Sequence, residues 1–173
     1  GDANIREKLE DIQIKRDEKY VIEAKEIAKK QPTKEHVHRA RQLETNLVKR
    51  QVEVLTVREE RYPSDMRLKL ELAALLMRFK KWKLAIPRLQ KAVTDTRIRG
   101  EALVRLGMCF LQDHKAQLAR HQLEQALNEI DHESNPTMYK EMLYMLGTIC
   151  EAAKDIEAAV KYYSMVLAVD YGY

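Results

Sequence analysis

The stretch Leu103–Ala126, LVRLGMCFLQDHKAQLARHQLEQA, decides how the rest of the chain is read. Its skeleton is Leu103-x2-Leu106-Gly107-x2-Phe110, then Ala119-x3-Leu123-x2-Ala126. The skeleton returns as Leu143-x2-Leu146-Gly147-x2-Cys150 with Ala159-x3-Tyr163. A weaker copy precedes it, Leu72-Ala73-x2-Leu76 with Ala85-x3-Leu89-x2-Ala92. Apolar residues three and four apart mark helices buried along one stripe. In all three copies twelve residues separate a small residue (Ala73, Gly107, Gly147) from an alanine (Ala85, Ala119, Ala159). A small residue on one helix and an alanine on the next let two antiparallel helices approach closely, while the larger residues fill the groove between them. Each copy therefore predicts a helix pair, with Ala119 buried against Gly107.

This skeleton resembles the tetratricopeptide repeat (TPR) family, whose pattern is W-x2-L-G-x2-Y…A-x3-F…P with a period of 34. From Ala73 to Gly107 is 34 residues, and from Gly107 to Gly147 is 40, so the last step carries six extra residues. The resemblance implies an all-α solenoid of three helix pairs, at about 66–98, 99–131 and 137–173. It also implies a concave surface lined by the first helix of each pair. On that surface it places Arg67, Leu70, Ala74, Met77 and Arg78, then Val104, Met108 and Gln112, then Tyr144, Thr148 and Glu151. The implied function is a non-catalytic protein-interaction scaffold whose groove holds a peptide or helix of an unidentified protein partner. Methionine suits adaptable contacts of this kind. The competing occupant is the chain's own N-terminal segment folding into the groove. TPR modules that hold acidic chaperone tails use lysine and asparagine as a carboxylate clamp. Here the corresponding places carry Leu70, Ala74, Val104 and Met108, so tail binding is not expected.

Composition agrees with helices. Charged residues make up 34% of the 173, aromatics 6%, and there are only five glycines and four prolines. Alanine, leucine, glutamate, lysine and arginine dominate, which leaves little material for a sheet. No apolar run approaches the roughly 18 residues of a membrane span, and no signal-peptide pattern is present. Gly1 stands where an initiator would, and the first methionine is Met66. The expectation is a piece of a longer protein, with Gly1 left from cloning. The two cysteines, Cys109 and Cys150, lie in apolar stripes of different repeats and read as buried, inert thiols. A reduced, cytoplasmic compartment fits them better than a disulfide does.

The net charge of +4 is unevenly spread. Residues 1–65 hold 15 bases and 14 acids, residues 66–99 ten bases against Glu71 and Asp95, and residues 100–173 six bases and eleven acids. A basic first repeat faces an acidic remainder.

Before the repeats, residues 1–63 read as a long helical hairpin. Ile5, Leu9, Ile12, Tyr20, Ala24 and Ile27 recur at steps near three and four, with Arg16 in the gap. So narrow a stripe resembles a coiled-coil seam, and a homodimer through residues 4–30 is one expectation from it. Gln31-Pro32-Thr33 stops the first helix. Thr33 caps a second, over 34–62, which is expected to dock against the first repeat. Ser64 or Asp65 caps the next helix, Phe79 to Trp82 form a turn, and Trp82 is expected in the core. Pro87 falls inside the following helix and should bend it. A second turn falls near Asp113-His114. Ser134 or Asn135 caps the third repeat, with Pro136 in its first turn. No polar capping helix follows Tyr173, although terminal repeats usually need one.

Motifs for catalysis are missing from this sequence. It holds no HExxH, CxxC, P-loop or GxGxxG, and no serine has a local base. His36 and His38 point to different sides of a helix, and His114 and His121 are separated by a turn. No enzyme activity, cofactor or metal is expected. The alternatives are a nucleic-acid-binding adaptor, through Lys80, Lys81, Lys83 and Arg88 around Trp82, and a coiled-coil assembly protein.

Overall fold

The computed structural model describes the backbone of residues 2–171 and the side chains of 3–169. The described chain is entirely helical outside its turns. In order it runs α1 (Asp2–Lys30), α2 (Lys34–Arg61), α3 (Met66–Arg78), α4 (Trp82–Ala92), α5 (Arg99–Gln112), α6 (Ala116–Ala126), α7 (Pro136–Ala152) and α8 (Ile156–Tyr171). Contacts gather these helices into two compact units, one up to Pro63 and one from Ser64. The fold class expected from sequence, a TPR-like solenoid of antiparallel pairs with a long N-terminal helical hairpin, is the one observed. The expected exit at Gly172 and Tyr173 lies outside the described residues.

In the first unit α1 packs along α2. Thr33 caps α2 as expected, its Oγ1 accepting from the His36 backbone N–H at 3.2 Å. The residues of α1 withdrawn from solvent include Glu7, Glu10, Ile14, Asp17, Val21, Ala24 and Ala28, spaced alternately three and four apart, with Glu18 beside Asp17. This is a coiled-coil spacing, and its first half is charged rather than apolar. Helix α2 answers with arginines. Arg58 meets Glu10 at 3.1 Å and Asp11 at 2.8 Å, and Arg50 meets Asp17 at 2.8 Å. Arg61 pairs with Glu7, and Gln51 donates to Glu18 at 3.3 Å. The hydrogen bond from Arg61 holds the Glu7 carboxyl below its usual range, helped by Tyr62. Toward the turn Val21, Ala24 and Ala40 are buried.

That seam corrects the stripe read from sequence. Ile5, Leu9 and Ile12 are 60%, 54% and 63% exposed, and Tyr20 and Ile27 are exposed as well. Only Ala24 belongs to both stripes. Hydrophobicity located an apolar face of α1, but opposite charges across the hairpin decide which face meets α2.

The second unit is built as the repeated skeleton predicts. Leu72, Ala73, Ala85, Leu89, Leu103, Ala119, Leu123, Leu143 and Leu146 have no exposed surface. Helix α3 pairs with α4, α5 with α6 and α7 with α8, and α4 and α6 also touch the following pair. A β-carbon on Gly107 would meet Leu123 Cγ at 2.7 Å and the Ala119 carbonyl oxygen at 3.4 Å. On Gly147 it would strike the Tyr163 ring. The small residue thus makes room chiefly for the large side chain four positions after the alanine. The alanine lets the backbone come close. Trp82 departs from expectation, because it is half-buried at the first position of α4 rather than in the core.

All three turns within pairs share one geometry. The Lys81 N–H reaches the Leu76 carbonyl at 2.9 Å, Lys115 reaches Phe110 at 2.8 Å and Asp155 reaches Cys150 at 2.9 Å. This is the six-to-one bond of a Schellman ending. The preceding residues, Lys80, His114 and Lys154, sit at φ of 57°, 59° and 61°, left-handed backbone that glycine normally supplies. The six extra residues of the last step divide evenly. Half lengthen the link from α6 to α7 relative to that from α4 to α5, and half extend the start of α7. Asn135 caps that extension, accepting from the Met138 N–H at 3.2 Å, with Pro136 in the first turn.

Candidate functional site

The small residues Ala73, Gly107 and Gly147 give each first helix a common origin, and the side chains beside them form rows along the repeats. Three positions before it stand Leu70, Val104 and Tyr144; one position after it, Ala74, Met108 and Thr148. Six positions before it stand Arg67, Glu101 and Glu141. Between α3 and α5 these rows enclose a hollow of about 230 Å³. Leu70, Ala74 and Ile98 are its apolar lining, and Arg67, Glu71, Glu101 and Arg105 its charges.

Of the residues named from sequence, Arg67, Leu70 and Ala74 line this hollow, together with Glu71, Ile98, Glu101 and Arg105. Glu101 was open to discovery, since it has the same offset from Gly107 that Arg67 has from Ala73. The added acids change the electrostatics. Arg105 donates to Glu101 at 2.6 and 2.8 Å. Arg67 lies within the field of Asp95, which Arg97 grips with two hydrogen bonds at 3.0 and 2.8 Å. Those bonds hold the Asp95 carboxyl at about 2. Arg99 is drawn to Glu129 at 3.3 Å. Glu71 and Glu101 stand beside Arg67 and Arg105 in the hollow, so this end of the face carries both signs rather than a basic patch.

The remaining predicted residues are spread along the face. Leu70 is 7% exposed and serves as floor, while Met77 and Met108 are half-buried and Arg78 and Gln112 exposed. Thr148 is half-buried, its hydroxyl donating to the Met145 carbonyl at 2.8 Å. Tyr144 is 60% exposed, although its counterparts Leu70 and Val104 are buried. Its ring stands 5.9 Å from that of Tyr163, tilted by 49°. Tyr163 in turn donates to Glu151 at 2.8 Å, which pushes its hydroxyl up to about 12. The third repeat is also tied to the second across α6 and α8. Arg120 donates to Glu124 at 2.8 Å and to Asp155 at 3.0 Å, and Tyr162 donates to Glu124 at 3.2 Å.

Lys80, Lys81 and Lys83 are exposed around the half-buried Trp82, on the turn and the start of α4. Burial pushes the Cys109 thiol up to about 11 and raises that of Cys150, so neither is a ready nucleophile. Among the described residues no three metal-ligating side chains gather, and no helix is long and apolar enough to cross a membrane.

No family model matches the chain, and no curated protein matches it. Solved structures do. A structure titled "MamA RS-1 ArsTM double mutant" is 19% identical and superposes with a TM-score of 0.67, covering 99% of this chain and 97% of its own. "MamA 41-end from Desulfovibrio magneticus RS-1" is 20% identical, with a TM-score of 0.66 and the same coverage of 99% and 97%. "Crystal structure of MamA" is 17% identical at a TM-score of 0.64, covering 88% and 87%. At such identities the likeness concerns the fold, which is all-helical and TPR-like.

Proposed function

We propose that the chain is a non-catalytic protein-interaction module that holds a helix or extended segment of a partner protein against the first helices of its repeats. The observation that carries this reading is the hollow between α3 and α5. It has an apolar floor with charges of both signs at its rim, and Met108 and the exposed Tyr144 continue the face. Such a surface suits one apolar anchor flanked by polar groups, the arrangement in which a few buried contacts dominate affinity. Because Glu71 and Glu101 stand beside Arg67 and Arg105, a ligand of mixed charge fits this end better than a purely acidic one. The MamA structures share the fold, which supports a surface of this shape and names no partner.

The test is a peptide-display selection on the whole chain, followed by titration of the recovered peptides. Met108→Ala and Tyr144→Ala are expected to lower affinity by roughly ten-fold, mainly through faster dissociation. Peptides that bind equally well to both variants would place the site elsewhere.

A further inference from the structure

The outward face of α1 combines three observations that the repeat groove does not use. First, Ile5, Leu9 and Ile12 are all more than half exposed and, with Arg16, stand four, three and four residues apart. That is the spacing of a two-stranded helical seam. Second, charge along the first part of α1 is sorted by face. Glu7, Glu10, Asp11, Asp17 and Glu18 each have a partner on α2 or at its close. Arg6, Lys8, Lys15, Arg16 and Lys19 are exposed. In the register set by Leu9, Lys8 and Lys15 flank the apolar residues on one side and Arg6 on the other. Third, the stripe continues through Tyr20 and Ile27 into a hollow of about 310 Å³, whose lining Glu23, Ala24, His36, Arg39 and Leu43 complete.

We infer that this face is a second docking surface, and that its occupant is an acidic amphipathic helix of a different protein. In paired helices the flanking charges choose the partner. Here the flanking charges Arg6, Lys8 and Lys15 are all positive, so a helix with aliphatic residues along its seam and glutamates beside them is complementary. A second copy of α1 is not complementary in this half, because it would set Arg16 and the flanking lysines against their own kind. The hollow at the Tyr20–Ile27 end receives one large side chain of the incoming helix.

The test uses the full chain and two labelled synthetic peptides of about 21 residues, three heptads with leucine along the seam. One carries glutamate at the flanking positions and the other lysine. Anisotropy titration is expected to show the glutamate peptide binding roughly ten-fold or more tightly than its twin at about 0.05 M salt. The advantage should shrink at about 0.5 M. Replacing Ile5, Leu9 and Ile12 together by serine should abolish binding, and circular dichroism should be unchanged because all three are exposed. Lys8→Glu with Lys15→Glu should reverse the preference between the peptides. Glu101→Arg in the repeat hollow should leave both titrations unchanged, which separates this surface from the groove. Equal affinity for the two peptides, or none for either, overturns the inference. So does a dimer in light scattering that the triple serine variant dissociates, or binding confined to phosphatidylserine-containing vesicles.

Discussion

The hairpin and the repeats are both made of paired antiparallel helices, yet different forces bring the pairs together. In the repeats, alanine, glycine and leucine meet with no exposed surface, and the fit of Leu123 over Gly107 or Tyr163 over Gly147 sets the distance between helices. In the first half of the hairpin, Arg50, Arg58 and Arg61 meet acids of α1, while Ile5, Leu9 and Ile12 point away. An apolar stripe therefore reports packing only where no stronger pairing competes for the helix face. Where acids and arginines recur at the same spacing, the apolar stripe is left for something else.

The largest expected contrast comes from truncating one apolar residue in each region. Leu123→Ala should cost roughly 2–5 kcal/mol, because it empties a site with no exposed surface. Ile12→Ala, at a position 63% exposed, should change stability by less than about 0.5 kcal/mol. Denaturant unfolding checks both, with fluorescence of the single tryptophan, Trp82, reporting on the repeats. Similar losses at the two sites would mean that Ile12 is covered in solution. Overpacking sharpens the same point, since Ala119→Leu should cost roughly 1–3 kcal/mol. In the hairpin the sensitive residue is Arg58, which serves Glu10, Asp11 and the Glu7 carbonyl. Arg58→Leu should cost roughly 1–3 kcal/mol by leaving the partly buried Glu10 carboxylate and the Glu7 carbonyl without their donor.

How far the sequence revealed this can be followed residue by residue. The helices, the Thr33 cap, the turns and the buried alanines were readable, because helix periodicity and capping are local signals, and of the paired cap candidates Asp65 and Asn135 serve rather than Ser64 and Ser134. Arg67, Leu70 and Ala74, which the repeat pattern sets on one helix face, line the same hollow. Glu71, Ile98, Glu101 and Arg105 did not stand out because most of them come from the next repeat and meet Arg67 and Leu70 only once α5 lies beside α3, and an acid on a first helix reads locally as a solvated face. The seam of α1 was missed for a related reason. Its pattern is written in Glu7, Glu10 and Asp17, and an acid three or four residues from the next reads locally as a solvated face. Only the arginines of α2, more than thirty residues away, identify it as a contact.

Two smaller effects refine the contrast. Lys80→Gly, His114→Gly and Lys154→Gly should each stabilise the repeats by roughly 0.5–1 kcal/mol, since relief of left-handed strain outweighs the entropy of glycine. Thermal melting checks them, and a loss of stability would mean that these side chains hold the turns. The acid limb is smaller still. Asp95 sits at about 2 in the folded chain against about 3.9 when unfolded. Its contribution is therefore complete above the unfolded value and is lost as pH falls through the folded one. Asp113 and Asp155 are shifted in the same direction, by Lys115 and Arg120. Melting temperature should fall below about pH 4, and Asp95→Asn should blunt that fall slightly.

Amide hydrogen exchange, followed helix by helix at about 0.05 M and about 0.5 M salt, tests the division of forces most directly. Protection is expected to drop with salt across residues 7–18 and 50–61, where ion pairs close the hairpin, and to stay level in α5 and α6. Equal salt dependence in the two regions would contradict the account.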